Sequence, residues 1–371
     1  MSHRITIFLP SFEGGGAERV MIQVANSLAS RDVAVDCVVA NGSGIYRNEV
    51  HDKITIYDLK QPRVFKSIIP LARYFRKRRP TCCLSTIMHC NVACIAAKIL
   101  SLTSVNIVVR ESCLVELSNG KPLENGLSLI PKIAGWLYPY ANSVICVSSG
   151  MKRQLLEVLD LPDNHNVDVI NNPIDRKALE ALSREQHETL FDEKKRVLRL
   201  ISVGRLSPEK NYSMLFVAIS NLTDILEVEL VILGEGKYRT KLQVELENLG
   251  LTDKVKMPGF YENPFPHICD ADIFILSSKS EGMPNSLIQA MFLGKKSICT
   301  EMPYGPIPDL MDTGMPCSVS SDNPEALAEK IYDLSKSEDW NGPSTSWLEK
   351  FSIESVVDRY GHHIFDSKSS K

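Results

Sequence analysis

Two short stretches combine charge, glycine and position in a way that suits chemistry on a phosphate ester. In Gly204-Arg205-Leu206-Ser207-Pro208-Glu209-Lys210, an arginine and a lysine follow directly on the largely apolar run 198–203. Fixed cations at such a place stabilise negative charge as it grows on a leaving phosphate, with little reorganisation. In the stretch 277–291, Glu281 and Gly282 follow the apolar run Ile273-Phe274-Ile275-Leu276 and precede a helical pattern through Leu287, Ile288, Ala290 and Met291. A helix start offers unpaired N–H groups and a partial positive charge, which suit a phosphate. Pro284 near the first turn, with Asn285 or Ser286 as cap, agrees with a helix beginning here. A carboxylate facing that phosphate would be repelled, so Glu281 should meet hydroxyls, where it gains charge-assisted hydrogen bonds. A third group, Gly14-Gly15-Gly16, lies between the apolar run 5–9 and a helical pattern through Val20, Ile22, Val24, Ala25 and Leu28. Its glycines let a backbone approach a ligand closely, but they run together and lack the G-x-G-x-x-G spacing of a dinucleotide site.

All three groups read as strand-to-helix loops, so they need parallel strands that carry them to one edge. Short apolar runs near 5–9, 33–39, 54–57, 82–87, 107–110, 144–147 and 167–170 alternate with helical patterns. The alternation resumes at 198–203, 230–233, 255–257, 273–276 and 297–300. That predicts an α/β protein with two Rossmann-like domains, each built on a doubly wound parallel sheet that binds ligands at its carboxyl edge. A chain of 371 residues accommodates two such cores. The charged, weakly patterned segment 176–195 reads as the linker, giving domains over 1–175 and 196–350.

Composition excludes several classes. A net charge of -3 provides no global basic field for nucleic acid. No run approaches the roughly 20 apolar residues of a membrane span, and 4–10 is too short for a signal-peptide core. The ten cysteines lack paired C-x-x-C spacing and suggest reduced thiols, hence a cytoplasmic location. No Asp-x-Asp stands at the end of a strand to hold a divalent ion.

The stretches 204–210 and 281–289 together resemble the retaining glycosyltransferases of family 4, which have the GT-B fold with two parallel sheets facing a deep interdomain cleft. The resemblance covers nearly the whole chain. It implies metal-independent transfer of a sugar from a nucleoside diphosphate sugar, of uridine by the wording of similar relatives, to a glycan or polyprenyl-linked glycan acceptor. The transferred group would be a hexose or an N-acetylhexosamine, the process bacterial polysaccharide or glycolipid assembly, and no cofactor would be needed. Arg205 and Lys210 match the pair that grips the donor diphosphate, and Glu281 matches the acid that contacts the transferred sugar. Gln289 stands where the family has a second glutamate for the ribose hydroxyls. It can accept one hydrogen bond and donate another but carries no charge. Gly282, Met283, Pro284, Asn285, Ser286 and Leu287 fall in the same donor segment, while Gly204, Gly234, Gly236, Met257 and Pro258 fall on loops that wall the nucleotide in relatives. Gly15 and Gly16 match the glycine loop that faces the donor, and Arg110 and Glu111 occupy a region that in many relatives carries a histidine near the sugar, which implies an acceptor-side role, with an ion pair between the domains as the equal alternative. Relatives also return the final helix, within 351–371, to the first domain. A nucleotide-sugar 2-epimerase shares the fold but needs further acids and histidines that have no counterpart. A non-catalytic sugar-nucleotide binder is the reading that Gln289 would favour.

Between 63 and 79 the chain carries seven Lys or Arg and no acid. A basic amphipathic helix there could lie on an anionic membrane surface, as a peripheral protein on the inner face would, although Pro70 interrupts the pattern. His89, Cys90 and Cys94 share helical spacing, which suits a buried helix better than a metal site. His362 and His363 are adjacent, so they cannot share a helical face and read as a surface pair.

Overall fold

The computed structural model describes residues 4–13, 15–113, 117–118, 121–122, 129–161, 165–192, 197–312, 315–338, 340 and 342–365. Gly14, 193–195 and 366–371 therefore lie outside the described residues. The chain divides into two compact units, Met1–Pro173 with Phe351–Lys371, and Ile174–Lys350.

In the first unit the strands are β1 Arg4–Leu9, β2 Ala34–Val39, β3 Thr55–Asp58, β4 Cys82–Thr86, β5 Asn106–Glu111, a two-residue pair β6 Leu117–Ser118 and β7 Lys121–Pro122, then β8 Ser143–Cys146 and β9 Val167–Val169. All but β6 and β7 join one parallel sheet in the order β3-β2-β1-β4-β5-β8-β9. The inner strands are buried end to end, which is why they read as apolar runs without alternation. Among several polar exceptions, one organises its surroundings. The fully buried Asp36 on β2 accepts from Arg4 at 2.9 Å, Tyr74 at 2.7 Å and Arg78 at 3.3 Å, so the carboxylate pays its desolvation cost with charged and hydroxyl donors. Tyr74 and Arg78 belong to the helix Ile68–Arg78, and Pro70 does not interrupt it. The proline sits in the first turn, where no intrahelical bond to its nitrogen is required.

The last helix, Ile353–Phe365, packs into this unit. Val356, Val357, Tyr360 and Ile364 are buried in one cluster with Met21, Ile22 and strands β1, β2 and β4. His363 contradicts the surface-pair reading, because its Nε2 lies 3.1 Å from Asp168 Oδ2 on β9, whereas His362 is exposed. A step of one residue along a helix turns the side chain by about 100°, enough to point one histidine inward and its neighbour out.

The second unit contains β10 Leu198–Val203, β11 Val228–Leu233, β12 Val255–Gly259, β13 Ile273–Leu276, β14 Lys296–Thr300 and β15 Cys317–Val319, in the parallel order β12-β11-β10-β13-β14-β15. Residues Arg176–Ser183 form a helix capped by Asp175 and belong to this unit. The helix Pro324–Lys336 begins at the Asn323 cap, whose side chain accepts from Ala326 N at 2.8 Å.

If the last helix closes the first core, Ile364→Ala should lower the unfolding free energy by about 2–5 kcal/mol in a urea titration. A loss within about 0.5 kcal/mol would mean that the helix contributes nothing to that core.

Candidate active site

In the second sheet the chain leaves β10 toward β11 on one side and later arrives at β13 on the other. The carboxyl edge of β10 and β13 is therefore the switch point, the place where doubly wound sheets bind ligands. Register pairs Leu200 with Ile273 and Ile201 with Phe274, so the two strands end level. The loops are stitched together by Lys279 N to Glu209 O at 2.8 Å and Ser277 Oγ to Lys210 O at 2.8 Å. Lys210 leaves a short turn, Pro208–Lys210, and Asn211 follows in the left-handed region at φ 53°.

The two charges singled out in sequence meet here. Lys210 Nζ donates to Glu281 Oε1 at 2.5 Å, and Ser278 Oγ donates to the same oxygen at 2.7 Å. The two side chains retain 17% and 15% of their exposure, so the pair is sheltered yet open to a ligand. Among the described residues no donor reaches Glu281 Oε2. Arg205 is exposed and forms no ion pair with a described residue.

Close packing of loops shapes the neighbouring wall. At Gly234, φ is 149°, and a Cβ would lie 2.0 Å from Gly204 O; at Gly236 it would lie 2.2 Å from Leu206 O. Only glycine permits this approach, which brings Leu206 N to Glu235 O at 2.9 Å. The result is a cavity of about 290 Å³ lined by Gly204, Arg205, Gly234, Glu235, Phe260 and Tyr261 among others. Met257 and Pro258 lie on β12, where the Met257 carbonyl is taken by Arg239 at 2.9 Å. Phe260 and Tyr261, which follow them, line the cavity; the sequence put Phe260 on this loop but singled out neither ring, although consecutive Phe and Tyr after a strand end were a signal.

The helix Asn285–Phe292 begins behind Glu281 and Gly282, and Leu287, Ile288, Ala290 and Met291 anchor it in the core. Its cap is the extended Pro284 without a side-chain bond, in place of Asn285 or Ser286, so no side chain caps the first turn. Met283 and Pro284 are buried, and Gln289 is half-buried with no hydrogen bond from its side chain to a described residue. In the first unit Gly15 caps the helix Gly16–Ser30, and a Cβ there would lie 2.3 Å from the carboxylate of Glu18, which folds back over the loop.

Residues 198–337 match the family described as Glycosyl transferases group 1, and residues 14–178 match Glycosyltransferase Family 4. The chain belongs to the family 4 (group 1) glycosyltransferases. It is 30% identical over 179 residues to the N-acetylgalactosamine-N,N'-diacetylbacillosaminyl-diphospho-undecaprenol 4-alpha-N-acetylgalactosaminyltransferase of Campylobacter jejuni, covering 48% of this chain and 47% of that protein. The chain thus spans about half the length of that relative. A second enzyme of the same organism, the GalNAc-alpha-(1->4)-GalNAc-alpha-(1->3)-diNAcBac-PP-undecaprenol alpha-1,4-N-acetyl-D-galactosaminyltransferase, is 25% identical over 345 residues and 88% of both chains. The crystal structure of Anabaena HepE in complex with UDP superposes with a TM-score of 0.77 at 16% identity, over 97% of this chain and 98% of that one. Such a likeness identifies the GT-B fold.

In this glycosyltransferase Arg110 and Glu111 stand at the end of β5, and both are buried. They point to opposite faces of the strand. Arg110 donates to Thr86 Oγ1 at 2.9 Å and Asn172 Oδ1 at 2.5 Å, while Glu111 Oε1 accepts from Asn91 Nδ2 at 2.9 Å and from the Tyr138 hydroxyl. Neither offers an exposed charge, and both have partners within the first unit. Ser278, which helps hold Glu281, was overlooked because a serine before a motif has no distinctive spacing.

Burial raises the Glu111 carboxyl from 4.5 to about 7, against the hydrogen bonds of Tyr138 and Asn91 and the charge of Arg110. Between those two values the unfolded chain ionises while the folded one keeps its proton. Stability should therefore fall as pH rises through that window and level off above it, by about 3 kcal/mol for this group. Urea titrations at about pH 5 and about pH 7.5 check this. Glu111→Gln should remove most of the decline, and an unchanged decline in that variant would assign it to other groups.

Proposed function

We propose that this glycosyltransferase moves a sugar with retention of anomeric configuration from a uridine diphosphate sugar to a glycan or lipid-linked glycan acceptor, without a metal ion in the transfer step. The observation that carries the reading is the Lys210–Glu281 contact at the carboxyl edge of β10 and β13, beside Arg205, which pairs with no acid among the described residues. Two cations and one acid suit a ligand that is anionic at one end and hydroxylated at the other. Bound diphosphate would compete for Lys210, releasing Glu281 to accept from sugar hydroxyls. The bond between the anomeric carbon and the phosphate oxygen breaks with its electron pair going to the diphosphate. There Arg205 and Lys210 stabilise the charge. The acceptor oxygen then bonds to that carbon on the face the phosphate leaves, and its proton passes to a phosphate oxygen. The cavity beside Phe260 and Tyr261 has the apolar walls that suit a nucleobase, and the Gln289 amide offers a donor and an acceptor suited to ribose hydroxyls. Uridine is favoured by the UDP of the Anabaena structure, and a lipid-linked acceptor by the undecaprenol-diphosphate names of the two Campylobacter enzymes.

Thermal shifts with uridine, guanosine and adenosine diphosphates, with and without chelator, test the donor. Ligand that binds the native state raises the transition by mass action. A rise with UDP that survives chelator and disappears in folded Lys210→Ala supports the reading, and that variant should lose about 10²–10³-fold in turnover. No shift with any of the three at millimolar concentration would remove the donor site.

Residues 63–79 supply the second part of the proposal, docking on an anionic membrane. Arg76 and Arg78 bond within the fold, but Arg63, Lys66, Arg73 and Lys77 are exposed and form no ion pair with a described residue. Phe65 and Ile69 are exposed among them, as are Ile99 and Leu100 at the end of the adjoining helix Met88–Ser101. Cations around apolar side chains suit a bilayer interface, at about 1 kcal/mol for each cation near the surface. Arg73→Glu with Lys77→Glu should reduce cosedimentation with vesicles containing acidic phospholipid by at least about tenfold. Equal sedimentation with zwitterionic vesicles before mutation would sink the idea.

A further inference from the structure

We propose that His187, His267 and Asp270 form a site for one divalent transition-metal ion of the zinc class, which fastens the segment entering the second unit to the flank of its nucleotide cavity. This goes beyond the transfer reaction, since none of the three belongs to the Lys210–Glu281 constellation.

The site is built from two neighbouring segments. His267 and Asp270 are three apart on the helix Phe265–Asp270, so they share a face. The helix Arg176–Ser183 packs against that helix, and the chain beyond it is held by Asn263 Nδ2, which donates to Leu182 O at 2.9 Å and Glu185 Oε2 at 2.7 Å. That brings His187 Nε2 to 2.8 Å from Asp270 Oδ2. One ligand atom from each of the three residues lies within 4.8 Å of the others. Atoms that bind one zinc ion tetrahedrally at about 2.1 Å stand about 3.4 Å apart, so a movement of roughly 1.5 Å closes the set. His187, with a quarter of its side chain exposed, has room to make it.

Two features point to a ligand in addition to the cluster itself. His267 is 4% exposed, and its Nδ1 is buried with no hydrogen-bond partner. Its ring stands edge-on to His187 and Tyr261, at 4.9 and 4.7 Å, and neither ring supplies that partner. His187 Nδ1 lies 3.4 Å from Glu185 O. With the proton donated there, Nε2 is left as the coordinating atom, the arrangement by which metal-binding histidines are commonly held. Two imidazoles and one carboxylate favour zinc, nickel or copper over magnesium or calcium, and they leave a fourth position for water. Because Tyr261 both packs on His267 and lines the cavity, an ion here would stiffen that wall.

The test uses the full chain, stripped with chelator and dialysed against micromolar zinc chloride. One tightly held zinc per chain is expected, with a rise in the thermal transition. His187→Ala and Asp270→Asn, at the two partly exposed ligands, should each weaken binding by more than the roughly tenfold that loss of an outer partner costs. Both should match the stripped wild type in circular dichroism and thermal transition. Cobalt in place of zinc should give visible bands without intense near-ultraviolet sulfur-to-metal charge transfer. Zinc retention unchanged in the double variant, a strong thiolate band, or no stoichiometric zinc in the wild type would each overturn the site.

Discussion

The parallel pairing of β10 with β13 is the constraint on which the candidate site depends. It joins strands separated by about seventy residues and sets their carboxyl ends level, so two loops that are remote in sequence share one crevice. Lys210 and Glu281 then lie at contact distance, and the shared acceptor oxygen with Ser278 fixes the carboxylate. In this partly sheltered place the attraction is stronger than in water, yet each partner keeps enough exposure to be drawn to a ligand. A deeper pair would be locked, and a fully exposed one would be screened.

The first unit illustrates how burial changes what a charged residue means. Asp36, Arg110 and Glu111 are as charged as Lys210 and Glu281, but each is enclosed and bonded to partners within the first unit, although Arg110 Nε keeps no partner. Asp36 draws Tyr74 and Arg78 of the basic helix inward, which divides that helix into cations that hold the fold and cations left for solvent. The position of Arg110 and Glu111 at a strand's carboxyl end gave them the appearance of ligand-facing groups. Their alternation across β5 instead sends one toward the last helix and the other toward Asn91 and Tyr138.

The loops around the cavity beside β10 and β11 follow a different logic, in which the absence of side chains matters. Gly234 and Gly236 allow carbonyls of the neighbouring loop to lie where a Cβ would otherwise be, and that contact shapes the wall completed by Phe260 and Tyr261. Tyr261 also rests on His267, so the cavity is coupled mechanically to the segment that enters the unit after Pro173.

By itself the sequence determined the alternation of buried strands and amphipathic helices, and hence two doubly wound sheets, because strands covered on both faces must be continuously apolar. It also determined Arg205, Lys210 and Glu281 as the charges to watch, since each lies on a glycine-bearing loop that follows a strand end. It misjudged what depends on long-range packing. Pro70 looked like a break but falls in a first turn, His363 looked exposed but meets Asp168, and Asn285 and Ser286 looked like caps but Pro284 takes that place. Only tertiary structure decided strand order, the burial of Arg110 and Glu111, and the meeting of His187 with His267 and Asp270. Each is set by which surfaces pack together across many tens of residues, and local composition carries no record of that.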